Sequence, residues 1–368
     1  MIVLKPRKSV SLLMTLLTPL VAIALTLVIG AVIFAILGYE PVEALYQFFI
    51  APISRPEQIA DLFVKACPLI IIATGLAFAY RANEWNIGAE GQMILGALFA
   101  GWVALTFPGL PVLIMMPLMI LAGIIGGMLW AMIPALLKTR FNTNEILVSL
   151  MLTYVAVLLI DWTVRGPWRD PMSFGFPLTP MYADAALIPY INVPGIGSLA
   201  PLHWGIFGAL ILAVIAWFVL ARMLVGFQVK VIGDAPRAAK FAGFRPAFVT
   251  VLVMSISGAA AGLAGMIEVS ANIGQLQPDI SFGYGFTAII VVFLARLNPL
   301  GVIVAGLIVA LAELGGDSAQ IALAMPKVVT GVFQGILLFM LLACETFSRY
   351  QVSLRFFDGV LMGKKRSA

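Results

Sequence analysis

The sequence predicts an all-α, polytopic integral membrane protein of about ten transmembrane helices, and three observations predict it. Of 368 residues, 62% are hydrophobic and only 11% charged, a balance that a water-soluble chain of this length does not show. Uncharged apolar runs recur at 9–39, 66–80, 91–137, 146–160, 185–221, 246–267, 280–295, 297–312 and 328–344. Lys and Arg are also divided unequally between alternate connections, which is how bilayer-spanning chains record their orientation.

Each run is assigned in order. Residues 9–39 are long enough for a retained span and too long for a signal-peptide core, with no small-residue cleavage site after them. Residues 39–61 form a mixed exterior connection in which Ala44, Leu45, Phe48 and Phe49 have helical spacing, as in a helix lying along the interface. The second span ends near Tyr80. Residues 91–137 hold two spans, separated by Phe107-Pro108-Gly109-Leu110-Pro111. Asn142 and Glu145 form an Asn-x-x-Glu pattern that predicts a capping box for the following span. Of the ten segments so counted, the eighth and ninth, 280–295 and 297–312, are short enough for half-helices.

With the N-terminus inside, 17 of the 22 Lys and Arg fall on the inner side and five (Arg55, Lys65, Arg165, Arg169 and Lys327) on the outer. Both termini are then cytoplasmic. The net charge of +5 reports this orientation and not nucleic-acid binding. The whole chain reads as one transmembrane domain, residues 1–368, with cytoplasmic tails at 1–9 and 345–368. A Pro- and Gly-rich exterior loop spans 162–204, and a basic cytoplasmic loop spans 222–246.

Several chemistries are excluded. There is no phosphate-binding Gly-x-x-x-x-Gly-Lys-Ser/Thr loop, so the chain does not hydrolyse nucleotides by itself. A lone histidine, His203 beside Trp204, rules out a histidine-cluster metal site and Ser-His catalysis. Cys67 and Cys344 lie in different apolar runs and imply no disulfide. Carboxylates within spans would mark a gradient-driven carrier, and the candidates Asp161, Glu268 and Glu313 are placed near predicted span ends.

Two polar, glycine-rich breaks interrupt the apolar pattern. The first, residues 81–92, carries Asn83, Glu84, Asn86, Glu90 and Gln92 among Gly88, Ala89 and Gly91. Such backbone survives at membrane depth only when packed in protein or lining a wet cavity, and a plain cytoplasmic turn is the alternative. The second, residues 272–286, carries Asn272, Gln275 and Gln277. One break in each half of a ten-segment chain fits an inverted five-plus-five repeat with broken helices. Between them, Ser255, Ser257, Gly258, Ala261, Gly262 and Gly265 form a small-residue helix-packing face.

The basic loop contains Gly233-Asp234-Ala235-Pro236-Arg237-Ala238-Ala239-Lys240-Phe241-Ala242-Gly243. It predicts a short cytoplasmic helix with Asp234 as N-cap, Pro236 in the first turn and Gly243 just past the end.

In one order, residues 86–92 (NIGAEGQ), Thr143-Asn144-Glu145-Ile146 and residues 233–243 resemble the permease subunits of ABC importers in the branched-chain amino acid and simple-sugar permease superfamily. Residues 166–171, 174–177 and 283–301 look like its nucleoside-type branch. Asn83 and Trp85 depart from the Gly and Phe usual there.

The resemblance implies an inner-membrane permease that imports nucleosides or related simple sugars, a ribose-like cargo being the alternative within the class. It implies no cofactor of its own, ATP being bound by a separate cytoplasmic ABC ATPase. The other implied partners are a second permease subunit, identical or homologous, and a lipoprotein or periplasmic solute-binding protein. Gly233, Asp234, Pro236, Arg237, Ala238, Ala239, Lys240 and Gly243 would couple to the ATPase. Asn86, Glu90 and Gln92 would line the solute path, to which physical reasoning adds Asn272, Gln275 and Gln277.

Overall fold

The computed structural model describes residues 2–6, 12–193, 197–281 and 283–354. Its contacts divide the chain into two units: residues 1–45 with 326–368, and residues 46–325.

In the first unit, α1 (Leu12–Ile36) packs on α13 (Val328–Arg349). The terminal strands β1 (Ile2–Pro6) and β4 (Tyr350–Leu354) pair antiparallel, Ile2 opposite Leu354. The tail expected to begin at residue 345 is therefore helix up to Arg349 and strand to Leu354. Lys364, Lys365 and Arg366 lie outside the described residues. The amphipathic α2 (Pro41–Phe49) follows α1, with its last four residues counted in the second unit; of the four residues whose spacing predicts it, Ala44 and Phe48 are buried and Leu45 and Phe49 half-buried.

The second unit is built on α3 (Pro56–Arg81), α4 (Ala89–Thr106), α5 (Val112–Phe141) and α6 (Glu145–Arg165). Pro56 and Pro111 stand at or just before helix starts, where a missing N–H costs nothing. The Phe107–Pro111 punctuation separates α4 from α5 as predicted. The cap of α6 differs from the expectation: Asn144, not Asn142, accepts from the backbone N–H of Ile146 at 2.9 Å and from that of Leu147. Asn142 instead ends α5 in the left-handed region, φ 54°, a conformation asparagine tolerates better than most residues.

Beyond α6, the long loop contains the ribbon β2 (Tyr190–Val193) and β3 (Gly197–His203). Then come α7 (Gly205–Arg222), α8 (Leu224–Asp234), α9 (Pro236–Phe241) and α10 (Pro246–Ile267). α10 continues as a π-helical turn, Glu268–Ile273, before α11 (Tyr284–Leu294) and α12 (Pro299–Leu323).

Among the described residues, seven helices are long and apolar enough to cross a membrane: α3, α4, α5, α6, α7, α10 with its π-turn, and α12. The apolar parts of α1, α11 and α13 are shorter. The ten apolar segments are thus present, and the breaks fall between the second and third of each five. α11, with 11 residues, is the predicted half-helix. α12 is not: it runs for 25 residues through Glu313 and Asp317. Lys65 of α3 forms an ion pair with Asp317, so both charges are paired where each helix alone would leave one exposed to hydrocarbon. This also corrects two sequence expectations. Lys65 belongs to a span and not to an exterior loop, and Glu313 is inside α12, away from its ends.

The centre of the unit is the contact of α10 with α4 and α5. Gly262 lies on Gly123 and Gly127 of α5 and on Gly96 of α4, so closely that a methyl group on Gly262 would stand 2.9 Å from the Gly127 nitrogen. Backbones meet here as the small-residue face predicts, through dispersion contacts that only glycine permits.

Candidate transport and coupling sites

The residues expected to couple to an ATPase form a bent arm. α8 ends at Asp234, and Ala235 changes the backbone direction. Pro236 then starts a six-residue helix held by the Ala239 N–H to Ala235 carbonyl bond of 3.0 Å. Asp234 is therefore the last residue of α8 and not the N-cap of α9, which has no side-chain cap. Gly243 stands past the end at φ 79°, the left-handed value that glycine adopts without strain. Ala239 is buried, while Asp234, Pro236, Arg237, Ala238, Lys240 and Gly243 are exposed or on the rim. Phe241, which the cap-and-charge pattern does not single out, is 95% exposed. An aromatic at the tip of a polar loop was its one available signal.

At the root of the arm, Gly233 presses on the carbonyl oxygen of Arg81, the last residue of α3. Phe227 of α8 meets Phe244 edge to face, with ring centroids 6.1 Å apart. The arm is thus seated on the residue from which the first break departs.

Most of that break is packed inside the protein, with Asn83 and Trp85 exposed. Tyr80, Trp85 and Phe293 form an aromatic cluster with centroids 5.4 to 5.9 Å apart, and the Tyr80 hydroxyl donates to the Asn86 carbonyl at 3.0 Å. Asn86 and Gln92 exchange side-chain amide hydrogen bonds of 2.8 and 2.9 Å, and Asn86 Nδ2 also donates to Ser257 Oγ at 2.9 Å. The Gly88 N–H donates to Asn86 Oδ1 at 3.1 Å. Both amides are buried and satisfied, the arrangement that low dielectric rewards.

Glu90 joins the two breaks. Its Oε1 accepts from Ser281 Oγ at 2.5 Å and from the Gly283 N–H at 3.0 Å, and its Oε2 accepts from the Gly285 N–H at 2.6 Å. A buried carboxylate therefore caps the N-terminus of half-helix α11, whose first N–H groups and dipole favour negative charge. In the second break, Asn272 is exposed and donates to Glu268 Oε2 at 2.8 Å. Gln275 is half-buried, and Gln277 Nε2 donates to the Asp279 carbonyl at 3.2 Å. The six expected path residues thus separate into a buried, bonded trio at the first break and a partly open trio at the second.

The long loop closes over the second break. The Thr179 N–H donates to the Leu276 carbonyl at 3.1 Å, and the Leu276 N–H donates to Thr179 Oγ1 at 2.9 Å. The Tyr182 N–H donates to the Gly274 carbonyl at 2.8 Å, and Ser270 Oγ donates to the Ala186 carbonyl at 2.6 Å. Burial pushes the Tyr182 hydroxyl well above its ordinary pKa.

At the opposite ends of the helices, Lys138 of α5 bridges Glu84 at 2.7 Å and Glu145 of α6 at 2.6 Å, and Thr250 of α10 donates to Glu84 at 2.8 Å. The Asn-x-x-Glu glutamate thus serves an ion-pair network and not a capping box. Asp161 pairs with Arg165 one turn on along α6. Among the described residues, no group of His, Cys, Asp and Glu is placed to hold a metal.

Known proteins share this sequence over most of its length. Residues 58–342 match the family described as branched-chain amino acid transport system / permease component. A glucose ABC transporter permease protein of Haloferax volcanii is 34% identical over 358 residues, 96% of this chain and 94% of that protein. A guanosine ABC transporter permease protein of Bacillus subtilis is 30% identical, covering 88% of this chain and 92% of its own. A nucleoside ABC transporter permease protein of Lactococcus lactis is 27% identical, covering 88% and 90%. The family match spans both breaks, the bent arm and the Lys138 network, and the chain is a multi-pass membrane protein that belongs to this permease family.

Proposed function

We propose that this permease imports a nucleoside or a related simple sugar, powered by a separate cytoplasmic ABC ATPase and supplied by a lipoprotein or periplasmic binding protein. It works as a pair with a second permease subunit, identical or homologous, with both termini cytoplasmic, and has no catalytic residues or cofactor of its own. Two relatives named for guanosine and nucleosides support the nucleoside reading. The relative named for glucose gives the simple-sugar reading its own specific support. Family membership leaves no reason to keep a gradient-driven carrier as the alternative.

The observation that carries the mechanism is the seat of Gly233 on Arg81. A rigid arm that rests on the first residue of a buried break passes a push at its tip directly into the core. Arg237 and Lys240 supply charge for acidic groups on the ATPase, and Phe241 supplies apolar area for a pocket. Asn86, Glu90 and Gln92 hold the helices that part to open the path, and Asn272, Gln275 and Gln277 meet the solute at its mouth.

The test is reconstitution of the permease with its ATPase and binding protein in proteoliposomes, followed by uptake of radiolabelled guanosine, adenosine, ribose and glucose. Guanosine or adenosine uptake dependent on ATP supports the nucleoside reading, and uptake of glucose or ribose alone supports the sugar reading. Gly243→Pro and Ala239→Glu should abolish transport-coupled hydrolysis in protein that still reaches the membrane, and unchanged turnover would remove the arm from the mechanism.

A further inference from the structure

Residues 171–183 carry no charge, although they lie in a loop outside the spans. Within them, Met172, Phe174 and Phe176 are 82%, 98% and 66% exposed. Three large apolar side chains within five residues cost free energy in water unless something covers them.

The turn that presents them is built and not slack. The Asp170 N–H donates to the Leu178 carbonyl at 2.8 Å, closing the loop, and Asp170 Oδ1 accepts from the Met172 N–H at 2.9 Å. Ser173 Oγ is 2.8 Å from the carbonyls of both Asp170 and Phe176, and the Phe176 N–H donates to the Ser173 carbonyl at 3.0 Å. Phe174 and Gly175 are both left-handed, φ 51° and 97°, which turns the chain sharply and puts the Phe174 ring at the tip. These bonds hold the turn in shape, and the hydrated boundary between headgroups and acyl chains, unlike the hydrocarbon centre, leaves water for the remaining backbone groups.

The turn also begins just past the end of a candidate span, α6. The Trp168 N–H donates to the Thr163 carbonyl at 3.0 Å and the Arg169 N–H to the Gly166 carbonyl at 3.3 Å, so the chain folds back across the end of α6. The exposed face of α6, with Leu158 and Trp162, is that of a membrane span and continues toward this turn. Arg169 is exposed, and its guanidinium lies beside Gly175.

We propose that residues 171–176 form a bilayer anchor: Met172, Phe174 and Phe176 enter the boundary between headgroups and acyl chains, and Arg169 meets lipid phosphate. A cation beside apolar side chains at the end of a span is the arrangement this boundary selects. The anchor holds the loop that closes the second break at a fixed height above the spans.

The full chain in phosphatidylcholine nanodiscs, with Cys67→Ala and Cys344→Ala as background, carries a nitroxide at Phe174→Cys. Collision with dissolved oxygen should exceed collision with a water-soluble nickel chelate, and the order should reverse at Asp184→Cys. Trp162→Cys, on the lipid-facing side of α6, reports that the fold is intact. Nickel accessibility at 174 equal to that at 184, with 162 still protected, overturns the anchor. Protection at 174 that appears only after a solute-binding protein is added overturns it too, in favour of protein docking. Arg169→Ala should move the label toward water, and an unchanged depth would overturn the phosphate contact.

Discussion

Gly233 and the carbonyl oxygen of Arg81 touch with no room for a side chain between them. The contact joins the arm made by α8 and α9 to the end of α3, at the residue where the first break begins. Gly233→Ala places a methyl group on that oxygen, so the arm must lift away. Helical backbone tolerates alanine well, which makes the contact, and not the local fold, the thing changed. The variant should reach the membrane in normal amounts, keep basal ATP hydrolysis by the assembled complex, and lose most solute-stimulated hydrolysis and uptake. Parallel uptake and phosphate-release assays in proteoliposomes measure the ratio, and an unchanged ratio rejects the linkage.

Phe241 makes a second prediction about the same arm. It is almost wholly exposed on a six-residue helix and supports nothing inside the chain. Phe241→Ala should leave thermal stability within about 0.5 kcal/mol, as surface substitutions do. Association with the ATPase should weaken by about 2 kcal/mol or more if the ring is a buried anchor in the complex. Microscale binding measurements on detergent-solubilised permease separate the two quantities.

Lys138 holds two acids that come from different parts of the chain, Glu84 from the first break and Glu145 from α6. Both carboxylates are largely shielded from water, and Thr250 satisfies only one of them in part. Lys138→Met keeps the aliphatic length and leaves two like charges facing each other. Removing one partner of such a group costs about 3 to 5 kcal/mol when it is deeply buried. Lys138 is itself about a quarter exposed, so the lower end of that range is expected. Lys138→Arg should recover part of the loss, and the loss should shrink in high salt. Chemical denaturation in detergent micelles gives the comparison.

How far these features are legible in the sequence depends on whether they are local. The apolar runs, the Pro-Gly break after Thr106, the amphipathic α2 and the half-helix α11 follow from patterns within one segment, and the structure has them. The caps of α6 and α9 are not legible in this way, because Asn142 and Asn144, or Asp234 and Ala235, compete for one position and backbone dihedrals decide between them. The length of α12 was not legible because Asp317 is acceptable inside a span only with Lys65 beside it, and Lys65 comes from a distant helix. Glu90 is the clearest case at the site. Its polar neighbours suggest backbone packed in protein or lining a wet cavity, and the structure packs it; its actual partners, Ser281, Gly283 and Gly285, lie beyond any local window.

Glu90 therefore carries a prediction in which structure and transport separate. Glu90→Gln keeps the shape but lacks the negative charge and one acceptor oxygen, and hydrogen bonds to a charged group are each worth about 1.5 to 3 kcal/mol. Stability should fall by about 2 kcal/mol, and α11, which the carboxylate caps, should exchange its first amide hydrogens faster. Glu90→Ala should be worse on both counts. Hydrogen exchange read by mass spectrometry over 283–290 localises the effect, and protection equal to that of the unaltered protein would show that the cap is dispensable.

His203 offers a pH test at the other end of the spans. It lies just before α7, is 1% exposed, and accepts the Gly205 N–H at Nδ1 over 3.1 Å, so its proton is on Nε2. Nε2 is buried with no partner among the described residues, and burial pushes the pKa down to about 4 from an ordinary 6.5. The folded state thus binds fewer protons than the unfolded state between these values, so stability rises with pH across that window. Its contribution is fully present above about pH 6.5 and is lost as pH falls toward 4, with a size of up to about 3 kcal/mol. His203→Gln retains an acceptor for the Gly205 N–H and has no proton to gain. The difference in melting temperature between the two proteins, measured in detergent from pH 7.5 to 4, should therefore shift toward the glutamine variant below pH 6.5. A constant difference across the range would mean that the imidazole charges without penalty.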